Sequence, residues 1–223
     1  MRRRGGEVYI PRAFREDDPR ALHALVQANG FGLLVTMAEG TPQASHLPML
    51  LDPTRGAQGS LFGHLASANP QWRSFDGKSP ALAVFSGPHA YVSPRWYTET
   101  RNVPTWDYVA VHVRGEPRVI ERRDLVRDLL RRTMALYECS FPEPRCFDSI
   151  PADYTEALLG AIVAFELPIT RIDGARKLSQ NKEATDRARI AEGLRATGDP
   201  SAARVAALVE DTLHVARGRS PAP

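Results

Sequence analysis

The chain reads Gly-Pro-His-Ala-Tyr-Val-Ser-Pro-Arg-Trp-Tyr at residues 87–97 and Val-Pro-Thr-Trp-Asp-Tyr at residues 103–108. Five aromatic rings therefore fall within 22 positions of a chain that is only 8% aromatic. Aromatic side chains give a large contact area at a small entropic cost, and Tyr hydroxyls and Trp indoles need polar partners when they are buried. The cluster indicates a site for a flat, partly polar ligand. The alternative is that these rings simply pack in the core or at an interface of paired strands.

The composition of the whole chain is that of an ordinary globular protein. Its 223 residues are 43% hydrophobic and 25% charged, with a net charge of +3, and they suffice for one large domain with a substantial core. Cys139 and Cys146 form no Cys-x-x-Cys pair and have no neighbouring His at metal-binding spacing, so we interpret them as reduced thiols. No apolar run approaches the roughly 20 residues that span a bilayer, and the basic N-terminus lacks the hydrophobic segment of a signal peptide. These features predict a cytoplasmic protein without a membrane partner.

Hydrophobic periodicity predicts a strand-rich chain with inserted and appended helices. The predicted helices cover residues 17–29, 121–138 and 154–158, with a helical pattern from 182 to 216 that is broken at 196–200. The predicted strands cover residues 31–37, 43–51, 61–66, 81–86, 109–113, 118–120 and 160–172. Consecutive antiparallel strands with added helices favour an α+β barrel over a parallel sheet. We therefore predict a barrel domain over residues 1–181, followed by a C-terminal helical extension and tail over residues 182–223.

A predicted strand-to-helix passage at residues 63–72 reads Gly-His-Leu-Ala-Ser-Ala-Asn-Pro-Gln-Trp. Helix N-termini expose unpaired backbone N–H groups that bind anions such as phosphate. Ser67 and Asn69 lie at this helix start, and the alternative is that either one only caps the helix. His64, like the other histidines on predicted strands, lacks the spacing of a metal ligand, so we predict no metal site.

A second polar segment, Lys-Leu-Ser-Gln-Asn, occupies residues 177–181 after the last predicted strand. Lys177 offers a compact cation for a phosphate or an electron-rich ring edge, while Gln180 and Asn181 offer both donors and acceptors. The alternative is that Ser179 or Asn181 caps the following helix, and the two roles are compatible. The sequence contains no glycine-rich dinucleotide loop, no P-loop and no Gly-x-Ser-x-Gly motif. No pair of residues has acid–base spacing, so we assign no catalytic residue.

Six motifs in a fixed order resemble the PaiB family of FMN-binding negative transcriptional regulators. They are Tyr-Ile-Pro at 9–11, Thr36 with Ser-His-Leu-Pro at 45–48, Gly-His-Leu-Ala at 63–66 with Asn-Pro-Gln-Trp at 69–72, Gly-Pro-His-Ala-Tyr at 87–91, Val-Pro-Thr-Trp at 103–106, and Lys-Leu-Ser-Gln-Asn at 177–181. The resemblance extends from about Val8 to about Leu194. It implies a split β-barrel of the pyridoxamine-phosphate-oxidase type, in a homodimer that binds FMN at the subunit interface.

The resemblance also implies which residues bind the flavin. Lys177 and the helix start with Ser67 and Asn69 are expected to face the phosphate, and His64 and Gln180 are further expected cofactor-binding residues. Those expected to border the isoalloxazine are Trp96, Tyr97, Thr105 and Trp106. The family motif Pro-Thr-Trp-Asn-Tyr is altered in this chain because Asp107 replaces the Asn. An ionised carboxylate accepts hydrogen bonds but donates none, so Asp107 is either protonated, paired with an arginine, or a cause of weaker flavin binding.

Three functions remain open on this evidence. The first is an FMN-binding repressor. Residues 183–194 and 201–216 resemble a helix-turn-helix, but the second of these helices carries Glu210 and Asp211 beside Arg204 and is therefore a poor surface for reading DNA. This favours indirect repression. The second is a flavin-dependent oxidoreductase or a haem-binding or haem-degrading split-barrel protein, with a histidine as proton donor or axial ligand. The third is a dimer that has lost its cofactor, which Asp107 suggests.

Overall fold

The computed structural model of the protein describes residues 8–218. The basic N-terminus and the end of the predicted C-terminal tail lie outside this range. The strands are β1 (Arg15–Glu16), β2 (Phe31–Ala38), β3 (Thr41–Pro48), β4 (Leu50–Asp52), β5 (Ser60–Ala66), β6 (Ala81–Val92), β7 (Thr105–Gly115), β8 (Arg118–Val119) and β9 (Ile162–Lys177). The α-helices are α1 (Pro19–Ala28), α2 (Arg123–Glu138), α3 (Ala152–Gly160), α4 (Ala184–Ala196) and α5 (Pro200–Gly218).

The strands follow the order β3-β2-β6-β7-β9-β5-β4, and β1 and β8 also pair with β9. The predicted hairpin is confirmed, because β2 and β3 pair antiparallel from Phe31 opposite Pro48 to Ala38 opposite Thr41. Its two-residue turn consists of Glu39 and Gly40, both with positive φ (51° and 76°), which is the backbone that a tight hairpin with the right-handed strand twist requires. The apolar run predicted as one strand at 43–51 is divided at Met49, whose N–H donates to the carbonyl of Gly30.

Two strands are longer than the sequence predicts. β6 continues past Gly87 and Pro88, a pair of residues that usually ends a strand. Glycine suits this position, because a Cβ at position 87 would lie 3.1 Å from the Cβ of Val109, which is a tight contact. β9 continues five residues beyond the predicted end at 172, and it ends at Lys177, the first residue of the second polar segment.

The chain forms two compact units, each with contributions from several segments. Within the described residues, the first unit comprises 8–25, 86–111 and 173–218, and the second comprises 26–85 and 112–172. The core of the first unit contains the apolar faces of α4 and α5, which pack with residues of β6 and β7; its fully buried members include Val92, Ile190, Leu194, Val205 and Val209. The separate helical extension predicted from residue 182 onward stays a prediction.

The core of the second unit includes a cluster of residues from α2, α3 and the strands, among them Leu50, Phe62, Leu129 and Leu159. Cys139 and Cys146 also belong to this unit, and both are exposed and unbridged. Among the helices of the described residues, none combines the length and the apolar character needed to cross a membrane.

Candidate functional site

A cavity of about 350 Å³ lies in the first unit, at the start of β7 and the end of β9. Ligand pockets in proteins span roughly 300 to 1,000 Å³, so this cavity is large enough for part of a cofactor. Its walls combine cationic, amide, hydroxyl and aromatic groups around one carboxylate. The lining residues are Phe14, Tyr97, Arg101, Asn102, Val103, Thr105, Asp107, Lys177, Ser179, Asn181 and Lys182.

The period of two in a β-strand decides which residues of β7 reach the cavity. Thr105 and Asp107 line it, whereas Trp106 and Tyr108 are 54% and 37% exposed at the alternate positions of the strand. Trp106 contacts the rings of its neighbours on β6, with its centroid 6.1 Å from that of Tyr91. The aromatic cluster of the sequence therefore divides between the cavity, the core and an exposed face of the sheet.

Lys177 closes one wall of the cavity. Its Nζ donates hydrogen bonds to the hydroxyl of Thr105 and to the backbone carbonyl of Trp106. The same Nζ lies 3.8 Å from Oδ1 of Asp107. The ammonium group thus joins the end of β9 to the start of β7, and most of its hydrogen-bonding capacity is used inside the protein.

Asp107 is fully buried in the wall of the cavity. Its Oδ2 accepts a hydrogen bond of 2.8 Å from the Ser179 hydroxyl, whereas Oδ1 has no hydrogen-bond donor among the described residues. Burial raises the pKa of Asp107, and the Ser179 hydroxyl and the charge of Lys177 offset only part of this effect. The alternative of an arginine partner is wrong, since the ion pair is with Lys177. Strand β9 carries Lys177 to this position because it extends beyond its predicted end.

The segment 178–181 has an uncommon backbone conformation that side-chain hydrogen bonds stabilise. Ser179 adopts a left-handed conformation with φ of 57°, which is uncommon for a residue other than glycine. Gln180 braces it, because its Oε1 accepts from the N–H of Leu178 at 2.7 Å and its Nε2 donates to the carbonyl of Arg176. The alternative that Ser179 or Asn181 caps the next helix is wrong, since α4 begins after Glu183.

Two cations of the cavity were missed by the sequence analysis. Lys182 donates to Oδ1 of Asn102 at 2.7 Å and lies 4.8 Å from the centroid of the Tyr97 ring. Arg101 is exposed, and it has no ion pair with a carboxylate in the part of the chain that the structure describes. Their positions in the sequence could have identified them as site residues. Lys182 directly follows the second polar segment, and Arg101 lies between the two aromatic segments.

Tyr97 contributes a neutral phenol to the cavity. Burial raises the pKa of Tyr97, and the negative charges of Asp107 and Asp186 raise it further. Asp186 also fixes the loop that follows, because its Oδ1 accepts from both the N–H and the hydroxyl of Thr98 at 2.8 Å. The aromatic and cationic walls are therefore held together by hydrogen bonds within the first unit.

The structure brings together three of the predicted site residues, namely Tyr97, Thr105 and Lys177. Trp96 instead packs on α4, where a Cβ at Gly193 would lie 2.3 Å from its ring. Trp96 thus makes a packing contact with a helix, as in the alternative that the aromatic rings pack in the core. Its place beside a flavin stays a prediction, as does that of Trp106 and Gln180.

The remaining predicted residues, His64, Ser67 and Asn69, belong to the second unit. Asn69 caps a 3-10 helix (Pro70–Ser74) by accepting from the N–H of Gln71 at 3.0 Å, so the capping alternative is confirmed for this residue. Its amide also donates to the Ser45 hydroxyl at 2.9 Å. Burial lowers the pKa of His64, which favours a neutral imidazole rather than a cation. A role for these residues near phosphate stays a prediction.

Comparison with protein families places the chain among flavin-binding proteins. Residues 8–171 match the family described as "Putative FMN-binding domain". The chain is 38% identical over 208 residues to "Protease synthase and sporulation protein PAI 2" of Bacillus subtilis (strain 168), with 92% of this chain and 98% of that protein covered. It is 27% identical over 243 residues to "Uncharacterized protein AN0679" of Emericella nidulans, with 92% and 97% covered.

Two solved structures share the fold at low sequence identity. The flavocytochrome Anf3 of Azotobacter vinelandii aligns with a TM-score of 0.56 and 13% identity, over 75% of this chain and 72% of that chain. The FAD and heme binding protein of Mycobacterium smegmatis aligns with a TM-score of 0.53 and 17% identity, over 73% of each chain. These likenesses confirm the predicted α+β class with a split β-barrel. Together with the family match and the PAI 2 relative, they show that the chain belongs to the PaiB family of proteins with an FMN-binding domain.

Proposed function

We propose that this protein binds FMN in the cavity of the first unit and acts as a cytoplasmic, homodimeric, PaiB-like negative regulator of transcription. The observation that carries the proposal is the charge of the cavity, whose lining includes three cations, Arg101, Lys177 and Lys182, and a single carboxylate, that of Asp107. A net positive cavity with an aromatic wall suits a planar ligand that carries a phosphate. In a chain of an FMN-binding family, FMN is the ligand with this chemistry.

The residues of the cavity fit the parts of a flavin. Tyr97 offers an aromatic wall, Asn102 and Asn181 offer amides to the polar edge or the ribityl hydroxyls, and the cations offer partners for the phosphate. A bound flavin would supply one- or two-electron redox chemistry. The chain itself would bind the ring, hold its polar edge and neutralise its phosphate.

The flavin proposal is tested by the absorbance spectrum of freshly purified protein and by titration of the protein with FMN under fluorescence detection. We expect saturable quenching of flavin fluorescence with one FMN per chain. Colourless protein that leaves the fluorescence unchanged would reject FMN binding and favour a dimer that has lost its cofactor.

We propose that repression is indirect. The arginines on α2 that could attract DNA are paired with acids of their own unit: Arg131 with Asp148 at 2.7 Å and Arg123 with Glu156 at 3.0 Å. On the C-terminal helices, Arg195 of α4 pairs with Glu210 of α5. DNA binding through phosphate contacts weakens steeply with salt, so a gel-shift series with promoter DNA at rising salt tests direct contact. Salt-dependent binding at submicromolar protein would overturn indirect repression.

The homodimer proposal is supported by the exposed aromatic face of β6 and β7, which comprises His89, Tyr91, Trp106 and Tyr108. Tyr and Trp are enriched in protein interfaces, and rings this exposed on one sheet face suit a second copy of the chain. Sedimentation equilibrium of the wild type and of Trp106→Ser tests it. We expect a dimer that the substitution weakens at least tenfold, and a monomeric wild type would contradict the proposal.

A further inference from the structure

The turn that follows β9, at residues 178–182, supplies three residues that line the cavity, namely Ser179, Asn181 and Lys182. Gln180 lies between them in the sequence but does not line the cavity. The backbone of its own segment uses its side-chain amide, because Oε1 accepts from the N–H of Leu178 at 2.7 Å and Nε2 donates to the carbonyl of Arg176. Both ends of this amide therefore have a partner within the protein.

The amide of Gln180 stabilises a turn whose backbone is unfavourable for a residue with a side chain. Ser179 has a φ of 57°, in the left-handed region that residues other than glycine rarely occupy. The N–H of Lys182 donates to the carbonyl of Ser179 at 2.9 Å and closes the turn. Together with the two hydrogen bonds of Gln180, this bond holds residues 176–182 in one conformation.

The turn also connects β9 to other walls of the cavity. The Ser179 hydroxyl donates to Oδ2 of Asp107 at 2.8 Å. The Lys182 ammonium donates to Oδ1 of Asn102 at 2.7 Å and lies 4.8 Å from the centroid of the Tyr97 ring. All three partners line the cavity. The conformation of the turn therefore decides where two polar side chains of the cavity lie.

Lys182 is the residue of this turn that suits an anion. Its ammonium has three N–H donors, and among the described residues its side chain donates only to Asn102. Donors thus remain for a ligand. A hydrogen bond from a charged donor is strong, but hydrogen bonds weaken steeply when their geometry is disturbed. The contribution of Lys182 to binding therefore depends on the position that the turn gives it.

We propose that Gln180 is a positioning residue of the flavin site, which acts without contact to the flavin by holding the turn that places Lys182 against the phosphate. The proposal rests on the proposed function, because it takes the cavity to be the flavin site and its cations to be partners of the phosphate. It gives Gln180 a different role from the predicted contact with the cofactor.

The test measures the dissociation constants of FMN and of riboflavin, which lacks the phosphate, by fluorescence titration. Gln180→Met removes both hydrogen bonds of the amide and keeps an unbranched, flexible side chain. We expect the preference for FMN over riboflavin to fall at least about threefold, because a displaced ammonium binds the phosphate less well. Gln27→Met, the same change at an exposed position of α1, is the matched control and should keep the wild-type preference.

The ratio of the two affinities separates positioning from a general loss of structure. A partly unfolded variant binds both ligands more weakly by the same factor, because only its folded fraction binds, and its preference stays that of the wild type. An unchanged preference in Gln180→Met would therefore overturn the proposal. If this variant does not fold, Gln180→Asn, whose side chain is one methylene shorter, is measured in its place with the same expectation.

A double-mutant cycle tests whether Gln180 acts through Lys182. We expect Lys182→Met to reduce the preference for FMN at least about tenfold, and Gln180→Met to cause no further reduction in that background. A Lys182→Met protein that keeps the preference, or an equal reduction by Gln180→Met with and without Lys182, would overturn the proposal. Failure of the wild type to bind FMN at all would instead reject the proposed function.

Discussion

Glu166 and Asp107 are both buried carboxylates on long strands, yet their surroundings differ in kind. Glu166, on β9 in the second unit, accepts from Arg55 at 2.6 and 3.0 Å and from Arg118 at 2.9 and 3.2 Å. Asp107, on β7 in the first unit, has one hydroxyl donor and a lysine at 3.8 Å. The first carboxylate is fully satisfied by the protein, whereas Oδ1 of the second is buried in the wall of a cavity and has no hydrogen-bond donor among the described residues.

The two environments shift the acidities in opposite directions. Burial by itself raises the pKa of both groups, but the hydrogen bonds from Arg55 and Arg118 outweigh it at Glu166, so the pKa of that carboxyl is lowered. At Asp107 burial prevails, and the pKa of the carboxyl is raised. A carboxylate paired with two arginines stabilises its own unit, whereas a buried carboxylate with too few donors carries a cost of burial that its partners offset only in part.

The largest expected effect is that of Glu166→Ala. Removal of this carboxylate leaves Arg55 and Arg118 without their shared partner, although both arginine side chains are at least half exposed and solvent screens them. We expect the free energy of unfolding to fall by about 2 to 3 kcal/mol, measured by urea denaturation at pH 7. A loss below about 0.5 kcal/mol would show that the arginine pairs contribute little.

The pH dependence of stability should have opposite signs at the two sites. The lowered pKa of Glu166 contributes stability above its unfolded value of about 4.3, and this contribution is lost as the pH falls through the folded value. The raised pKa of Asp107 reduces stability as the pH rises from about 3.9 through its folded value.

Asp107→Asn should therefore increase the free energy of unfolding by about 1 kcal/mol at pH 7, because it removes a buried charge. The gain should shrink as the pH is lowered toward about 4. Urea denaturation of both proteins across this range, without flavin, is the measurement. A gain that is independent of pH would mean that Asp107 does not titrate as the structure indicates.

The smallest effect concerns the Ser179 hydroxyl. Ser179→Ala loses the hydrogen bond to Asp107 and keeps a side chain at positive φ, so we expect a loss of about 1 kcal/mol. Ser179→Gly loses the same bond but relieves the backbone, and we expect stability close to that of the wild type. Equal losses in the two variants would indicate that the left-handed backbone carries no strain.

The sequence predicted most of the fold because the strands and helices have clear periodicity, and the β2–β3 hairpin and the break between α4 and α5 lie where the pattern indicated. The predicted lengths of β6 and β9 are too short, because their glycines and polar ends resemble turn signals. Such residues are tolerated within a strand where another part of the chain approaches closely. The cavity was only partly predictable. Tyr97, Thr105 and Lys177 belong to motifs, whereas Arg101 and Lys182 are charged loop residues whose convergence depends on tertiary structure.

FMN binding in the cavity of the first unit can be tested by reversing one charge of its wall. The most direct measurement is the FMN dissociation constant of Arg101→Glu, which reverses a charge in the cavity wall, compared with that of Arg204→Glu, which reverses an exposed charge on α5. We expect Arg101→Glu to bind FMN at least about tenfold more weakly than the wild type, whereas Arg204→Glu should bind it equally well. Equal affinity in all three proteins would contradict this expectation and place the flavin elsewhere.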